Sequence, residues 1–261
     1  MTAERPDLSL VIPAYNEARR LPATLAALQT FLATRPWRVE IVVVDDGSTD
    51  GTPAAARGAA LPTSCLRVVS LGTNQGKGAA VKRGVAEARG AHIAFVDADL
   101  PYAFDGFDRA MERLAHGADL VIGGRDLPGS TDVMGYGWMR RLSGKIYSVL
   151  VNAFAVRAIP DTQCGFKWFR ASMARELFPR VVLKGFAFDV ELLVLAQRWG
   201  LRIDRIPVTL SHSHDSRVRL LRDSAQMFWD LLKINRRRAR GAYDRSAAGP
   251  DMPDPDLTAK G

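Results

Sequence analysis

The chain alternates short apolar runs with segments of helical periodicity, and this alternation constrains its fold more than any other feature of the sequence. Each run is long enough for a buried strand and too short for a helix. Strands that alternate with helices predict an α/β fold in which a mainly parallel sheet is flanked by helices. The runs that we assign to strands are residues 8–12, 39–44, 66–71, 93–96 and 120–122, and a late strand is predicted at residues 203–210.

Three of these predicted strands are followed at once by a polar cluster. The clusters lie at residues 13–17, 45–47 and 97–99. Ligands of open α/β sheets bind at the carboxyl ends of the strands. We therefore expect the three clusters to meet at one edge of the sheet and to form a binding site there, of a kind that suits a nucleotide diphosphate.

Asp97 and Asp99 are the most informative pair within these clusters. Residues i and i+2 of an extended chain point the same way, and two carboxylates held close together repel each other unless a cation or a proton lies between them. Mg²⁺ and Mn²⁺ prefer oxygen ligands of this kind. The pair predicts a divalent cation site, although it also fits a polar strand end that caps the next helix.

The second half of the chain contains polar residues in otherwise apolar surroundings. Residues 161–167 form a polar stretch in which Gly165 would allow a close backbone approach. Asp189 lies near the start of a predicted apolar helix at residues 185–197, where it either caps the helix or faces an acceptor site. A predicted helix at residues 138–156 has a basic start and an apolar end, which fits either a membrane surface or the protein core.

Positive charge is concentrated towards the end of the chain. The formal net charge is +8, and residues 211–245 alone carry nine Lys or Arg against four Asp. The predicted helix at residues 218–240 has one apolar face and ends in a run of arginines. Such a helix can make peripheral contact with an anionic membrane, and the same residues can also complement the helix dipole on a solvated face. We expect no nucleic acid partner, since three acidic clusters would repel its phosphates.

The remaining features are typical of a globular protein of the cytoplasm. The sequence is 47% hydrophobic and 25% charged, with no apolar run of 18 residues. Its polar start does not resemble a signal peptide, and its two cysteines lack metal-ligand spacing, which fits reduced thiols. We expect a cytoplasmic protein without a membrane-spanning helix, with a disordered tail at residues 246–261.

The polar clusters resemble the nucleotide-sugar motifs of the family 2 inverting glycosyltransferases, which have the GT-A fold. The motifs are Pro-Ala-Tyr-Asn-Glu at 13–17, Val-Asp-Asp-Gly-Ser-Thr-Asp-Gly-Thr at 44–52 and Asp-Ala-Asp (the DXD motif) at 97–99, and they follow in the family's order and spacing. Within the family, the chain is most similar to the dolichyl-phosphate β-glucosyltransferases. This closer similarity is carried by residues 74–78, 161–167 and 187–193.

The resemblance implies a metal-dependent enzyme that moves a hexose from a nucleotide sugar to a polyprenyl phosphate with inversion. UDP-glucose is the expected donor, with GDP-mannose as its competitor, and the expected cofactor is Mg²⁺ or Mn²⁺. The resemblance also implies one catalytic domain at residues 1–245. Its nucleotide-sugar half would be residues 8–123, and its acceptor half, with the C-terminal acceptor-side helices, would be residues 124–245.

The family's motifs also imply roles for individual residues on the donor side. Pro13, Tyr15, Glu17 and Asp46 would hold the nucleoside, and Lys77 would lie near the base or the phosphates. Asp99 would be the firmer of the two metal ligands. The residues expected to bind the diphosphate and the metal are Asp97, Ala98 and Asp99.

On the acceptor side, Arg125 and Arg217 are candidates for binding a donor or acceptor phosphate, and Asp189 aligns with the family's acidic position. A polyprenyl phosphate is already anionic at neutral pH and needs no strong base, whereas a soluble hydroxyl acceptor would require Asp189 to accept a proton. A nucleotidyltransferase is a further alternative. It is disfavoured, because such enzymes normally carry a glycine-rich basic loop where this chain has residues 13–17, without glycine.

Overall fold

A seven-stranded sheet organises the chain in a computed structural model, which describes residues 4–59, 65–132, 151, 155–156, 158–210 and 220–245. The order of the strands across the sheet is β3-β2-β1-β4-β7-β5-β8. These strands are β1 (Leu8–Ala14), β2 (Val39–Asp45), β3 (Leu66–Ser70), β4 (His92–Phe95), β5 (Leu120–Gly124), β7 (Lys167–Arg170) and β8 (Ile203–Pro207). Two short strands, β6 (Thr131–Asp132) and β9 (Thr209–Leu210), pair in parallel outside this sheet.

The pairing within the large sheet is parallel except at one strand. β1 runs parallel to both β2 and β4, β2 to β3, and β5 to β8. β7 runs antiparallel to both of its neighbours, β4 and β5. The prediction of a mainly parallel α/β sheet is therefore confirmed, but the sequence did not predict β7. That strand is only four residues long and has a charged residue at each end, so it lacks the apolar run that marks a buried strand.

Seven α-helices with described bounds flank the sheet, and a short 3₁₀ helix spans Phe178–Arg180. The α-helices are α1 (Leu21–Leu32), α2 (Thr52–Arg57), α3 (Lys77–Glu87), α4 (Asp105–Ala115), α5 (Ala171–Leu177), α6 (Phe188–Arg198) and α7 (Leu220–Ala239). The predicted helix at residues 138–156 and the predicted tail at 246–261 lie outside the described residues, except for residues 151, 155 and 156. Among the described residues, no helix is long and apolar enough to cross a membrane.

Alternate residues of each central strand supply two separate cores. In β2, Val42 and Val44 pack in the core that contains α3, α5 and α6, whereas Ile41 and Val43 pack in the core that contains α1 and α4. A strand that is covered on both faces needs apolar residues at every position, which explains the nearly continuous apolar runs of the sequence. This layered packing leaves the carboxyl ends of β1, β2 and β4 side by side.

Candidate active site

The three polar clusters meet at the carboxyl edge of the sheet. β1 lies between β2 and β4, and the parallel register pairs Ala14 with Asp45 at the ends of their strands. Beyond the strands, the backbone N–H of Asp46 donates to the carbonyl of Ala14 at 2.8 Å, and that of Val96 donates to Val11 at 3.1 Å. The structure therefore brings residues 13–17, 45–47 and 97–99 together at this edge, and we call the space in front of them the cleft.

The turns after β1 and β2 are joined by hydrogen bonds between backbone and side chains. Asn16 has a positive φ of 55°, which asparagine tolerates better than most residues. Its Oδ1 accepts from the N–H of Thr49 at 2.8 Å, and its own N–H donates to Ser48 Oγ at 2.8 Å. Pro13 is half-buried, and Tyr15 is 39% exposed at this edge of the sheet.

Asp46 is buried and already accepts two backbone hydrogen bonds. The N–H of Gln75 donates to Oδ1 at 2.7 Å, and the N–H of Gly76 donates to Oδ2 at 2.9 Å. Burial raises the pKa of Asp46, while these two N–H groups oppose the shift. The carboxylate therefore holds the loop before α3 against the end of β2. Any contact with a nucleoside would use the lone pairs that remain.

Lys77, the first residue of α3, forms an ion pair with the first carboxylate of the Asp-Ala-Asp motif. Its Nζ lies 2.6 Å from Oδ1 of Asp97. Burial disfavours the charge of Lys77, but the nearby carboxylates of Asp97 and Asp189 outweigh burial, so the pKa of Lys77 is raised. The ammonium group of Lys77 thus lies beside Asp97, where we expect the phosphates of a donor.

Asp99 is held differently from Asp97. Within the part of the chain that the structure describes, its nearest cation is Arg20, whose Nη1 lies 3.7 Å from Oδ2. Burial and the neighbouring charge of Asp97 together raise the pKa of Asp99. Arg20 in turn donates to both carboxylate oxygens of Glu17, from Nη2 at 2.5 Å and from Nε at 2.7 Å. The side chain of Glu17 therefore positions Arg20, a role that the sequence did not predict.

The two aspartates fit a divalent cation that takes further ligands from a substrate. Among the described residues, no three His, Cys, Asp or Glu side chains are grouped so as to hold a metal ion by themselves. Oxygen atoms of a diphosphate and of water would complete the shell, as Mg²⁺ readily accepts. Asp99 fits the ligand role better than Asp97, because one oxygen of Asp97 already faces an ammonium group.

The polar stretch after residue 160 passes directly behind Asp97. A Cβ added to Gly165 would lie 2.4 Å from Oδ2 of Asp97, so only glycine fits at this position without displacing that carboxylate. The N–H of Gly165 donates to the hydroxyl of Tyr102 at 3.1 Å, which fixes the segment in place. The close backbone approach that the sequence predicted at Gly165 is confirmed, and its partner is the Asp-Ala-Asp motif.

Asp189 forms a buried ion pair with Lys167, at 2.8 Å between Oδ1 and Nζ. Lys167 also donates to the carbonyls of Cys164 at 2.7 Å and Thr162 at 3.1 Å. Burial raises the pKa of Asp189, whereas Lys167 and Lys77 oppose the shift. The alternative that Asp189 caps its helix is wrong, because α6 has Ala187 at its N-cap and no side-chain cap hydrogen bond.

Arg125 follows β5 and makes a bidentate contact with Asp161. Its Nε and Nη2 donate to the two carboxylate oxygens at 2.8 and 2.7 Å. Although burial disfavours its charge, the hydrogen bonds to Asp161 raise the pKa of Arg125 well above its usual range. The side chain of Arg125 as a whole remains 38% exposed, so it can still meet a phosphate. The second predicted phosphate contact, Arg217, lies outside the described residues.

Three features of the site escaped the sequence analysis. Arg20 meets Asp99, although the two are far apart in the sequence. Lys167 likewise meets the distant Asp189. The two donors to Asp46 are backbone N–H groups. Of these features, only Lys167 had a signal in the sequence, because it is a charged residue within the polar stretch at residues 161–167. No local pattern reports which carboxylate a cation will face, because that pairing depends on strand order.

Among the solved structures that this fold resembles are a mannosyl-3-phosphoglycerate synthase and a glucosyl-3-phosphoglycerate synthase. Mannosyl-3-phosphoglycerate synthase from Rubrobacter xylanophilus superposes with a TM-score of 0.67 and 21% identity, over 95% of this chain and 79% of that one. Glucosyl-3-phosphoglycerate synthase from Mycobacterium tuberculosis, in complex with Mn²⁺, UDP and its product, gives 0.65 and 22%, over 89% and 80%. The fold is therefore that of the GT-A glycosyltransferases.

The chain belongs to glycosyl transferase family 2, whose model matches residues 9–178. Among curated proteins, it is 36% identical to the dolichyl-phosphate beta-glucosyltransferase of Drosophila melanogaster, over 91% of this chain and 77% of the relative. The corresponding protein of Dictyostelium discoideum is 34% identical over 90% and 76%. The protein is thus a glycosyltransferase, and the family resemblance drawn from its motifs is confirmed.

Proposed function

We propose that the protein transfers glucose from UDP-glucose to a polyprenyl phosphate, with inversion at the anomeric carbon and with Mg²⁺ or Mn²⁺ as its cofactor. The names of the curated relatives from Drosophila and Dictyostelium support glucose and a polyprenyl phosphate acceptor. The UDP and Mn²⁺ held by the mycobacterial neighbour support the donor and the metal. GDP-mannose is the competing donor.

The state of Asp189 is the observation that favours a phosphate acceptor over a hydroxyl. Its Oδ1 lies 2.8 Å from the buried ammonium of Lys167, so one of its two oxygens already serves a structural ion pair. A hydroxyl acceptor must lose its proton to a nearby base. A polyprenyl phosphate presents an anionic oxygen at neutral pH and needs no such base. Transfer to a soluble hydroxyl is therefore the second candidate, and nucleotidyl transfer ranks below it.

The donor side of the cleft supplies a place for each part of a nucleotide sugar. The exposed ring of Tyr15, beside the half-buried Pro13, would stack on the base, and Asp46 would hold the loop that closes over it. Lys77 would meet the diphosphate on the side of Asp97. Glu17 would act through Arg20, which it directs towards Asp99.

Asp99, with Asp97 and the backbone around Ala98, would hold the divalent cation of the reaction. When bound there, Mg²⁺ or Mn²⁺ neutralises charge that develops on the leaving diphosphate. The acceptor oxygen would attack the anomeric carbon from the opposite side of the sugar in a single displacement. Arg125 and Arg217 would position the acceptor phosphate, and Asp161 orients Arg125 for this contact.

The organisation that we propose is one catalytic domain over residues 1–245. Residues 8–123 would form its nucleotide-sugar half and residues 124–245 its acceptor half. Because a polyprenyl phosphate lies in a membrane, the enzyme would work at a membrane surface. We place it on the cytoplasmic side, with the helix at residues 218–240 as the peripheral contact.

A donor-by-acceptor assay tests the proposal. Purified protein with Mg²⁺ or Mn²⁺ receives radiolabelled UDP-glucose or GDP-mannose, with and without a polyprenyl phosphate in detergent, and the organic phase is counted. We expect label in the lipid phase with UDP-glucose, and loss of that label when EDTA is added. NMR of the product should show the β-anomer, as inversion requires.

Each other outcome assigns a different function. Lipid label from GDP-mannose alone would replace glucose by mannose. Release of UDP without lipid label, raised by a soluble sugar or glycerate acceptor, would favour the hydroxyl reaction and give Asp189 a role as base. Release of pyrophosphate from a nucleoside triphosphate would indicate nucleotidyl transfer.

A further inference from the structure

One face of α7 exposes large apolar side chains to solvent. Trp229 is 61% exposed, Phe228 46% and Leu232 45%, and these are three of the five exposed large hydrophobic residues in the described part of the chain. The rings of Phe228 and Trp229 lie 6.3 Å apart in an edge-to-face arrangement. The same helix buries Leu231 and Ile234 in the core, so it is firmly packed on its other side.

Basic side chains continue the exposed face towards the end of the helix. At about 100° per residue, Phe228, Leu232, Arg236, Trp229, Arg240 and Lys233 fall within an arc of roughly 140°. Lys233 is 59% exposed and also contacts Asp230 at 3.1 Å. Asp230 is the only acidic residue between 226 and 240, and it is buried. The exposed arc, which we call the α7 face, is therefore apolar at its start and purely cationic further on.

The end of α7 is anchored to α6, the helix that carries Asp189. The hydroxyl of Tyr243 donates to Oε1 of the buried Glu191 at 2.7 Å, and the indole of Trp199 donates to the carbonyl of Tyr243 at 3.0 Å. The other oxygen of Glu191 accepts from the N–H of Leu183 at 2.8 Å. If another surface bound the α7 face, it would therefore also fix the position and orientation of the acceptor side of the cleft relative to that surface.

We infer that the α7 face docks on the surface of a bilayer that contains anionic phospholipid, which would present the cleft to an acceptor embedded in that bilayer. The inference rests on the proposed function for the lipid nature of the acceptor. Aromatic and aliphatic side chains enter the interface between headgroups and acyl chains, and basic side chains beside them attract anionic headgroups.

Charge distinguishes this occupant from a second copy of the chain. Two α7 faces brought together would juxtapose the cations of both copies, among them Arg236, while Asp230, the one carboxylate between 226 and 240, is buried beside Lys233. Like charges in contact oppose such a dimer. An anionic bilayer complements the same cations, and it also accepts Trp229 and Phe228.

Vesicle sedimentation of the full chain, without any donor or acceptor, tests the inference. The probes are vesicles of phosphatidylcholine alone and of phosphatidylcholine with phosphatidylglycerol. One variant, Trp229→Ser with Leu232→Ser, removes apolar contact, and another, Lys233→Gln with Arg236→Gln, removes two charges. The matched control is Arg109→Gln with Arg113→Gln on α4, which loses the same charge from a helix on the opposite face of the sheet.

We expect the unaltered chain to sediment with anionic vesicles and not with neutral ones. Each α7 variant should lower the partition coefficient about tenfold or more, while the α4 control should leave it near the original value. Thermal unfolding checks that all variants fold. Equal losses for the α4 and α7 charge variants, or no sedimentation of the unaltered chain, would overturn the inference.

A separate readout excludes self-association. If size-exclusion chromatography showed a dimer that Trp229→Ser with Leu232→Ser converts to a monomer, the face would be an interface between copies and the inference would be wrong. Because sedimentation requires no transfer reaction, its failure is distinct from failure of the proposed function. The latter would appear as a missing lipid product in detergent, where docking is not needed.

Discussion

Lys77 Nζ lies 2.6 Å from Oδ1 of Asp97, so the first carboxylate of the Asp-Ala-Asp motif has a counter-ion supplied by the protein itself. Among the described residues, the cation nearest to Asp99 is Arg20, at 3.7 Å. The two aspartates are therefore not equivalent. Asp97 is paired with a fixed ammonium group. Asp99 has a more distant counter-ion and would therefore bind more strongly to a cation that arrives with the donor.

Replacement of Lys77 by Met should expose this asymmetry. Without the ammonium group, Asp97 can share in holding the metal, so Mn²⁺ should bind more tightly to the protein in the absence of donor. Transfer should nevertheless fall by roughly tenfold to a thousandfold, because a cation aimed at the diphosphate is lost. Electron paramagnetic resonance titration of free Mn²⁺ measures the first effect.

The control for Lys77→Met is Arg83→Met, which removes a charge from the exposed side of the same helix, where Arg83 pairs with Glu87. It should change neither Mn²⁺ binding nor transfer. Unaltered Mn²⁺ affinity in Lys77→Met would show that the ion pair with Asp97 does not compete with metal.

Replacement of Asp99 by Asn should abolish transfer with little effect on the fold. The side chain keeps its size but loses the charge that would hold the cation, so the rate should fall by about a hundredfold or more. Excess metal should not restore it. Asp105→Asn, at an exposed position of α4 that pairs with Arg109, is the matched control and should retain activity. Near-normal transfer by Asp99→Asn would remove Asp99 from the metal site.

As the pH falls, metal binding should weaken. The loss should occur at a higher pH than for a site built from a carboxylate with an ordinary pKa. Burial and Asp97 raise the pKa of Asp99, and a raised pKa means that the proton returns earlier as the pH falls. The protonated acid is a poor ligand, so Mn²⁺ affinity should drop through this raised pKa. Titration of Mn²⁺ binding between pH 7 and pH 4 measures the pH at which the affinity is half lost. Lys77→Met should shift this midpoint if it belongs to Asp99, whereas the midpoint of an unrelated acid group would not change.

Replacement of Gly165 by Ala should reduce transfer through Asp97. The added methyl group would lie 2.4 Å from Oδ2 of Asp97, and one of the two must move. We expect a fall in the rate of roughly tenfold or more, since small misplacements of catalytic groups are costly. Gly185→Ala is the control, because a Cβ there meets nothing within 4 Å and its φ is not positive. Equal behaviour of the two variants would contradict the contact.

Replacement of Lys167 by Met should destabilise the fold, since it leaves Asp189 charged and buried without its partner. Breaking a buried ion pair on one side costs about 3–5 kcal/mol. The double variant Lys167→Met with Asp189→Leu should recover much of this loss, because no unpaired charge remains. The free energy of unfolding in urea measures both. If the double variant were as unstable as the single one, the ion pair would not be the source of the effect.

Local patterns were sufficient for the layered architecture and for one edge of the site. The apolar runs predicted β1, β2, β3, β4 and β5, because strands covered on both faces must be apolar throughout. The motifs at residues 13–17, 45–47 and 97–99 could be placed at one edge, because parallel strands share their carboxyl ends. The membership of glycosyl transferase family 2 followed from the same motifs.

Helix and strand boundaries were less accurate, and one strand of the large sheet, β7, was missed, as was the two-residue β6 outside it. β7 consists of Lys167, Trp168, Phe169 and Arg170, whose charged ends hide it. Its place between β4 and β5 has no sequence signature, because it joins the sheet antiparallel and from far along the chain. That insertion is what brings Lys167 to Asp189 in the interior of the protein.

By itself, the sequence determined which residue types stand at the ends of the strands, since periodicity and turn chemistry act over a few neighbouring residues. Only the tertiary structure decided how their charges are shared: Lys77 with Asp97, Arg20 with Glu17 and Asp99, and Lys167 with Asp189. The physical reason is that an ion pair depends on distance in space. That distance is set by the order of the strands and by the helix that packs above them.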